Sequence, residues 1–145
     1  MKTMKHIQFR AFVCLLLLAG VGVASAALSV KVAEPKSTGT KAVVNLTMKN
    51  TFTNAVESAR AAVFLMDDQG KVVGQATRWV IGGAKDRPAL EPDKDTTYHF
   101  VVPLNKAMSG ALQTRVPFNR LILAGGQSAG TPREVTVKPV NAVAK

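Results

Sequence analysis

Ala59-Arg60-Ala61-Ala62-Val63-Phe64-Leu65-Met66-Asp67-Asp68-Gln69-Gly70-Lys71-Val72-Val73 reads as a strand, a tight turn and the start of a returning strand. Ala59, Ala61, Val63 and Leu65 recur at every second residue, the spacing at which a strand comes back to one face. Asp67-Asp68-Gln69-Gly70 supplies turn-forming residues, with Gly70 where a positive φ is expected. Residues 72–80 then form the return strand, and the two runs make a hairpin.

The same period appears on both sides of this hairpin. Upstream, Leu28, Val30 and Val32 alternate with Ser29 and Lys31, and Val44, Leu46 and Met48 alternate with Asn45, Thr47 and Lys49. Downstream, Tyr98, Phe100 and Val102 make an inward face ended by Pro103. Leu121 and Leu123 lie on a further strand closed by Gly125-Gly126, and Val135 and Val137 are the last inward pair. Residues 34–40, with Pro35 and Gly39, read as a turn, and residues 50–54 as a polar break. Residues 82–95 form a charged, Gly- and Pro-containing loop. Residues 105–117 have weak periodicity and suit either a helical turn or a long connection. About seven short strands separated by turn signals predict an all-β fold, an immunoglobulin-like antiparallel β-sandwich. The cysteine and tryptophan landmarks of antibody domains are absent, so the expectation is of the wider sandwich class.

The first 26 residues have a different character. Lys2, Lys5 and Arg10 precede an uncharged run built on Leu15-Leu16-Leu17-Leu18, which ends in Ala24-Ser25-Ala26. This is the pattern of a cleaved signal peptide. The expected organisation is therefore a leader over residues 1–26, a β-sandwich over 27–140 and a fraying tail over 141–145. The expected location is the periplasm or the extracellular space. Cleavage removes Cys14, the only cysteine, and with it any disulfide, thiol nucleophile or thiolate metal site. The chain carries a net charge of +10; without the three leader cations it keeps 16 Lys and Arg against 9 Asp and Glu. Such an excess favours anionic surfaces, although the cations stand mostly alone between apolar residues.

Val63-Phe64-Leu65-Met66-Asp67 followed by Gly70-Lys71-Val72-Val73-Gly74 resembles the central hairpin of FxLyD-type bacterial extracytoplasmic domains. Val63 stands at the Phe position of that motif, Leu65 at the Leu, Met66 at the Tyr and Asp67 at the Asp. Residues 44–50 resemble the strand that precedes this hairpin in the family. Pro92 with Tyr98-His99-Phe100-Val101-Val102-Pro103 resembles its closing strand. The likeness runs from Lys41 to Pro103, and two of the four named positions differ. It implies a small extracytoplasmic β-sandwich that binds or assembles, and it carries over no catalytic residue.

No catalytic constellation emerges from the side chains. His99 is the only histidine after the leader, and it lies on the strand face opposite Tyr98 and Phe100. No Gly-x-Ser-x-Gly elbow accompanies it, and one histidine without cysteine cannot make a tetrahedral zinc set. Asp86, Glu91, Asp93 and Asp95 share a loop with Lys85, Arg87 and Lys94; mixed charge there suits a solvated loop better than a calcium site. Asn45-Leu46-Thr47 matches a glycosylation sequon, with chance as the default reading. No catalytic residue, metal or cofactor is expected.

The candidate binding patch is the outward face of the central hairpin: Phe64 and Met66, with Trp79 on the partner strand and Arg60 and Arg78 as a cationic rim. Two readings stay open. The patch contacts a protein of the cell envelope, or a terminal segment or second layer covers it. The functional expectation is an exported, non-enzymatic interaction module working through a sheet face or an edge strand. The alternatives are a surface that binds acidic polysaccharide or lipid, and a small hydrolase of unrecognised type. Nucleic acid is not expected as a partner, because an exported chain with scattered aromatics offers no stacking platform.

Overall fold

The hairpin read from the sequence is the centre of one of two packed sheets. The computed structural model describes residues 27–129 and 135–139; the leader pattern and the tail over 141–145 lie outside the described residues. The strands in chain order are β1 (Leu28–Val32), β2 (Lys36–Thr38), β3 (Lys41–Asn50), β4 (Val56–Met66), β5 (Val72–Ile81), β6 (Asp95–Pro103), β7 (Gln113–Arg115), β8 (Phe118–Leu123), β9 (Gln127–Ser128) and β10 (Val135–Pro139). The first sheet has the order β10-β1-β3-β2, with β6 also on β3; the second has β5-β4-β8-β9, with β7 also on β4. The fold is an all-β sandwich, and no described residue is helical.

Ten segments make eight strand lines, one more than the seven expected, because two of the lines are interrupted. Pro35 lies between β1 and β2, which pair with successive parts of β3. Pro117 lies between β7 and β8, which pair with successive parts of β4. Proline donates no ladder hydrogen bond and limits its neighbour's backbone, so each line bends at that residue. The expected turn at 34–40 therefore holds a short strand. The ambiguous stretch 105–117 is extended and contains β7, with no helical turn.

Alternation places the core between the sheets. Val44, Leu46 and Met48 of β3 and Phe100 of β6 are fully buried from one side; Ala61, Val63 and Leu65 of β4 and Leu121 of β8 are fully buried from the other. Tyr98 is only half-buried. It packs on this core edge-on to Phe100, at 5.5 Å between ring centroids, beneath the Arg87 guanidinium at 5.0 Å. Every pairing is antiparallel except one: β10 runs parallel to β1, with Leu28 opposite Val135 and Val32 opposite Pro139. The expected inward Val137 is 39% exposed. β10 joins the first sheet at its margin, where the Val137 side chain reaches solvent.

The central turn follows its sequence. Gly70 has φ of 78°. Asp67 Oδ1 accepts hydrogen bonds from the amides of Gln69 and Lys71, at 3.0 and 2.9 Å. Asp67 Oδ1 and Gly70 are therefore engaged by turn geometry. At the same end of the sandwich Leu104 leaves β6 and ties the sheets together. Its amide donates to Thr40 O, and the next amide, of Asn105, donates to Val73 O, each at 2.8 Å. At the opposite end Asn50 is completely buried and acts as the knot for two loops. Its Nδ2 donates to the carbonyls of Asn54 and Leu90, and its Oδ1 accepts from the Phe52 amide.

Candidate functional site

Strand register decides which of the candidate residues meet. On the outer face of the second sheet, Trp79 of β5 lies opposite Arg60 of β4, and Arg60 lies opposite Arg120 of β8. The Arg60 and Arg120 guanidiniums each stand 5.9 Å from the Trp79 ring. The indole is half-buried and both arginines are exposed. Two rows further along the same face Gln75, Phe64 and Arg115 are in register. None of the residues in these rows is acidic, so three guanidiniums face solvent without a carboxylate among them.

The loop after β5 sets the indole in place. Gly83 has φ of 75°, and a Cβ there would stand 2.6 Å from Trp79 Cγ. Only glycine gives both the left-handed backbone and the room for the ring. Arg87 Nη1 donates to the Trp79 carbonyl, which fastens the loop to β5. The side of Trp79, open from sequence, is therefore the outer one.

The remaining patch residues go elsewhere. Phe64 and Met66 are in the outward phase as expected, but Phe64 is half-buried and Met66 is 8% exposed. They form part of the wall of a groove of about 1010 Å³ beside β7. Its other wall is Val32, Ala33 and Pro35 at the bend between β1 and β2. The Phe–Met pair, open or covered on the sequence alone, is a recessed wall. Arg78 lies opposite Ala61, in the inward phase of the edge strand β5, and its Nη1 donates to the Thr77 carbonyl. It reaches solvent past the sheet edge and is not part of the arginine row.

Arg120 and Arg115 take the roles that Arg78 was expected to fill. Strand β8 shifts register between its pairing with Arg60 and with Ala61. That irregularity moves the phase of Phe118-Asn119-Arg120, and none of these three residues is a glycine or proline that would mark the bulge. Pro117 just before the strand is the sole local hint.

The other candidates sit on β3, β6 and the loop after β5. His99 is exposed on β6, and its Nδ1 lies 2.7 Å from Asn45 Oδ1 across the ladder. That contact occupies the amide of the sequon as well. Among the described residues no group of three His, Cys, Asp or Glu side chains could hold a metal. In the acidic loop Asp93 adopts φ of 60°, and its amide donates to the Asn50 carbonyl. The loop is shaped by its docking onto Asn50.

No family model matches the chain, and no curated protein matches it. Solved structures give distant likenesses. One is a crystal structure of a Bordetella pertussis protein given the name ApaA, with 15% identity, 61% of this chain and 67% of that chain covered, and a TM-score of 0.46. Another is a structural-genomics target with 14% identity, 72% and 76% covered, and a TM-score of 0.41. At these scores the sandwich assignment rests on strand register and burial alone.

Proposed function

We propose that the chain is exported and, freed of residues 1–26, acts as a non-enzymatic interaction module of the cell envelope, holding an acidic protein surface on the outer face of its second sheet. The observation that carries this reading is the pair of guanidiniums gathered at one indole. Each gains from the ring, but the two repel each other. A carboxylate placed between them removes that repulsion and accepts from two planar forks. Tryptophan and arginine are also the residue types that dominate binding energy in protein contacts. Phe64, two rows along the face, adds apolar area beside the charged row.

Trp79 is the only tryptophan, so its fluorescence reports on this face directly. Titration with an acidic peptide should change the emission. In the Arg60→Glu/Arg120→Glu variant the Kd should rise at least about tenfold, the scale of losing a single strong contact. An unchanged Kd would remove the proposal. Recovery of envelope proteins should fall in parallel with this variant. Phe64→Glu serves as a comparison for the apolar part of the face.

A second reading is supported by the charge excess: an acidic polysaccharide or anionic lipid lying along Arg60, Arg120 and Arg115. It predicts binding to anionic vesicles or polysaccharide that weakens steeply with salt. Amino-terminal sequencing of exported protein should begin at Ala27, whose nitrogen donates to Thr51 Oγ1. A sequence beginning at Met1 would contradict removal of the leader.

A further inference from the structure

Strand register gathers cations on the outer face of the first sheet that stand apart in the sequence. Lys31 of β1 is opposite Thr47 of β3, and Lys36 of β2 is opposite Val43. Lys41 and Lys49 lie on β3 in the same phase as Val43 and Thr47, and all four lysines are exposed. β1 and β2 flank β3 on one side, and β6 runs along the other. Asp95 is the one acid in register on this face among the described residues, and it stands opposite Lys49. Glu34, at the bend between β1 and β2, lines the groove beside β7 instead. Asp93 belongs to the loop that docks on Asn50, at the Lys49 end of the strand. Lys31, Lys36 and Lys41 therefore share a stretch of sheet whose rows hold no carboxylate.

The pairing also sets their spacing. Lys36 and Lys41 are one strand and two residues apart, about 8 Å at the backbone, and Lys31 lies about 14 Å from Lys36 on the same strand line. Between the rows of Lys31 and Lys36, Asn45 and His99 are in register, with His99 Nδ1 2.7 Å from Asn45 Oδ1. In the Lys31 row the Thr47 and Thr97 hydroxyls meet at 3.1 Å. The face is thus a line of cations along a strip of hydroxyl, amide and imidazole groups. Like charges without carboxylates among them hold mobile counter-ions, and a linear polyanion that displaces those ions is favoured by their release. Lysine heads on flexible stems suit a chain whose charges are not fixed in one plane. Val43 and Val101, exposed side by side, are too small a patch to enter a bilayer. No aromatic ring in these rows offers a platform for a base.

We infer that this face binds a linear acidic polysaccharide, laid along β3 with its anionic groups on Lys31, Lys36 and Lys41 and its hydroxyls over the Asn45–His99 row. The site is separate from the arginine row, which lies on the outer face of the other sheet, and does not depend on it.

Titration of the purified protein with polygalacturonate and with dextran sulfate, followed by amide NMR, tests the inference. At least one polymer should bind and shift the amides of residues 43–47 and 97–101, leaving those of 60–64 and 120–123 in place. In the Lys31→Gln/Lys36→Gln/Lys41→Gln variant, whose exposed side chains leave the core untouched, the Kd should rise at least about tenfold, the summed scale of three exposed ion pairs. The slope of log Kd against log salt should fall by up to about one for each lysine removed. Arg60→Gln/Arg120→Gln at the same salt should change the Kd far less. Binding of neither polymer overturns the inference, as does an unchanged Kd in the lysine variant or a larger loss in the arginine variant. Phosphatidylglycerol vesicles bound more tightly than either polymer, with the same dependence on the lysines, would put a lipid surface on this face and overturn it. Polyglutamate bound as tightly as the polysaccharides would assign the face to an acidic protein and overturn it as well.

Discussion

Replacing Asn50 with Leu should lower the stability of the fold by about 3–4 kcal/mol, read by chemical denaturation. The side chain is fully buried and makes three hydrogen bonds to backbone, at 2.8 to 3.0 Å. Leucine has the same branching and is somewhat larger, so no cavity is left and the loss is chiefly of hydrogen bonds. The buried Phe52 amide and the part-buried Asn54 carbonyl lose their side-chain partner; an unsatisfied buried group costs roughly 1–3 kcal/mol, and the carbonyl falls at the lower end of that range. The Leu90 carbonyl keeps a second donor, the Val56 amide at 2.9 Å, and loses less. Against a total stability of about 5–15 kcal/mol this is a large fraction. Asn50→Asp should be worse at neutral pH, because it sets a buried carboxylate against two carbonyl oxygens. Burial raises the pKa of that acid in the folded state above about 3.9, its unfolded value. The folded variant then binds more protons than the unfolded one, and its stability falls as pH rises. Its deficit relative to the parent should therefore shrink on going from pH 7 to pH 4. A deficit independent of pH would mean that the carboxylate finds water.

Gly82→Ala should be nearly as damaging, at about 3–5 kcal/mol, while Gly70→Ala should cost only about 1 kcal/mol. Both glycines have positive φ, 58° and 78°, so both substitutions carry the left-handed penalty of about 1–2 kcal/mol or less. They differ in what the new Cβ meets. At Gly70 nothing lies within 4 Å; at Gly82 the Glu57 carbonyl oxygen would be 2.0 Å away. Glu57 sits where β4 shifts register against β8, and Gly82 follows directly on the last residue of β5. The clash is between two backbones, so no rotamer relieves it, and overpacking adds about 1–3 kcal/mol or more. The difference between the two thermal unfolding shifts isolates the contact. Equal shifts would show that the ends of β4 and β5 can move apart.

The two cases differ in how much of them the sequence announces. Gly70 stands in Asp67-Asp68-Gln69-Gly70, and its turn is written locally: the aspartate bonds amides two and four residues on, and glycine takes the positive φ. Gly82 and Asn50 carry no such local mark. Asn50 closes a stretch of polar residues that reads as a surface break, yet it is completely buried because the loop holding Leu90 folds over it. A residue 40 positions away in sequence decides its environment.

The same division runs through the candidate site. That Arg60, Phe64 and Met66 share the outward phase of β4 follows from the two-residue period of a strand. Whether that phase is open does not. Met66 is recessed because the other end of the sandwich brings the β1–β2 bend and β7 alongside it. Arg78 and Arg120 exchange roles because a bulge in β8 and an edge position in β5 alter which way a side chain can go. Neither event leaves a glycine or proline at the residue concerned.

Period-two alternation and turn residues fixed the places of the principal strands, since those depend on neighbours within a few positions; the short strands β2, β7 and β9 carry too few alternating residues to be read that way. Chain sequence alone therefore determined an all-strand sandwich and most of its core. Tertiary structure alone decided the parallel seat of β10, the gathering of two arginines on one indole and the groove beside β7. Each of these depends on which strands lie side by side, and that is settled by packing two sheets so that both inner faces leave water together.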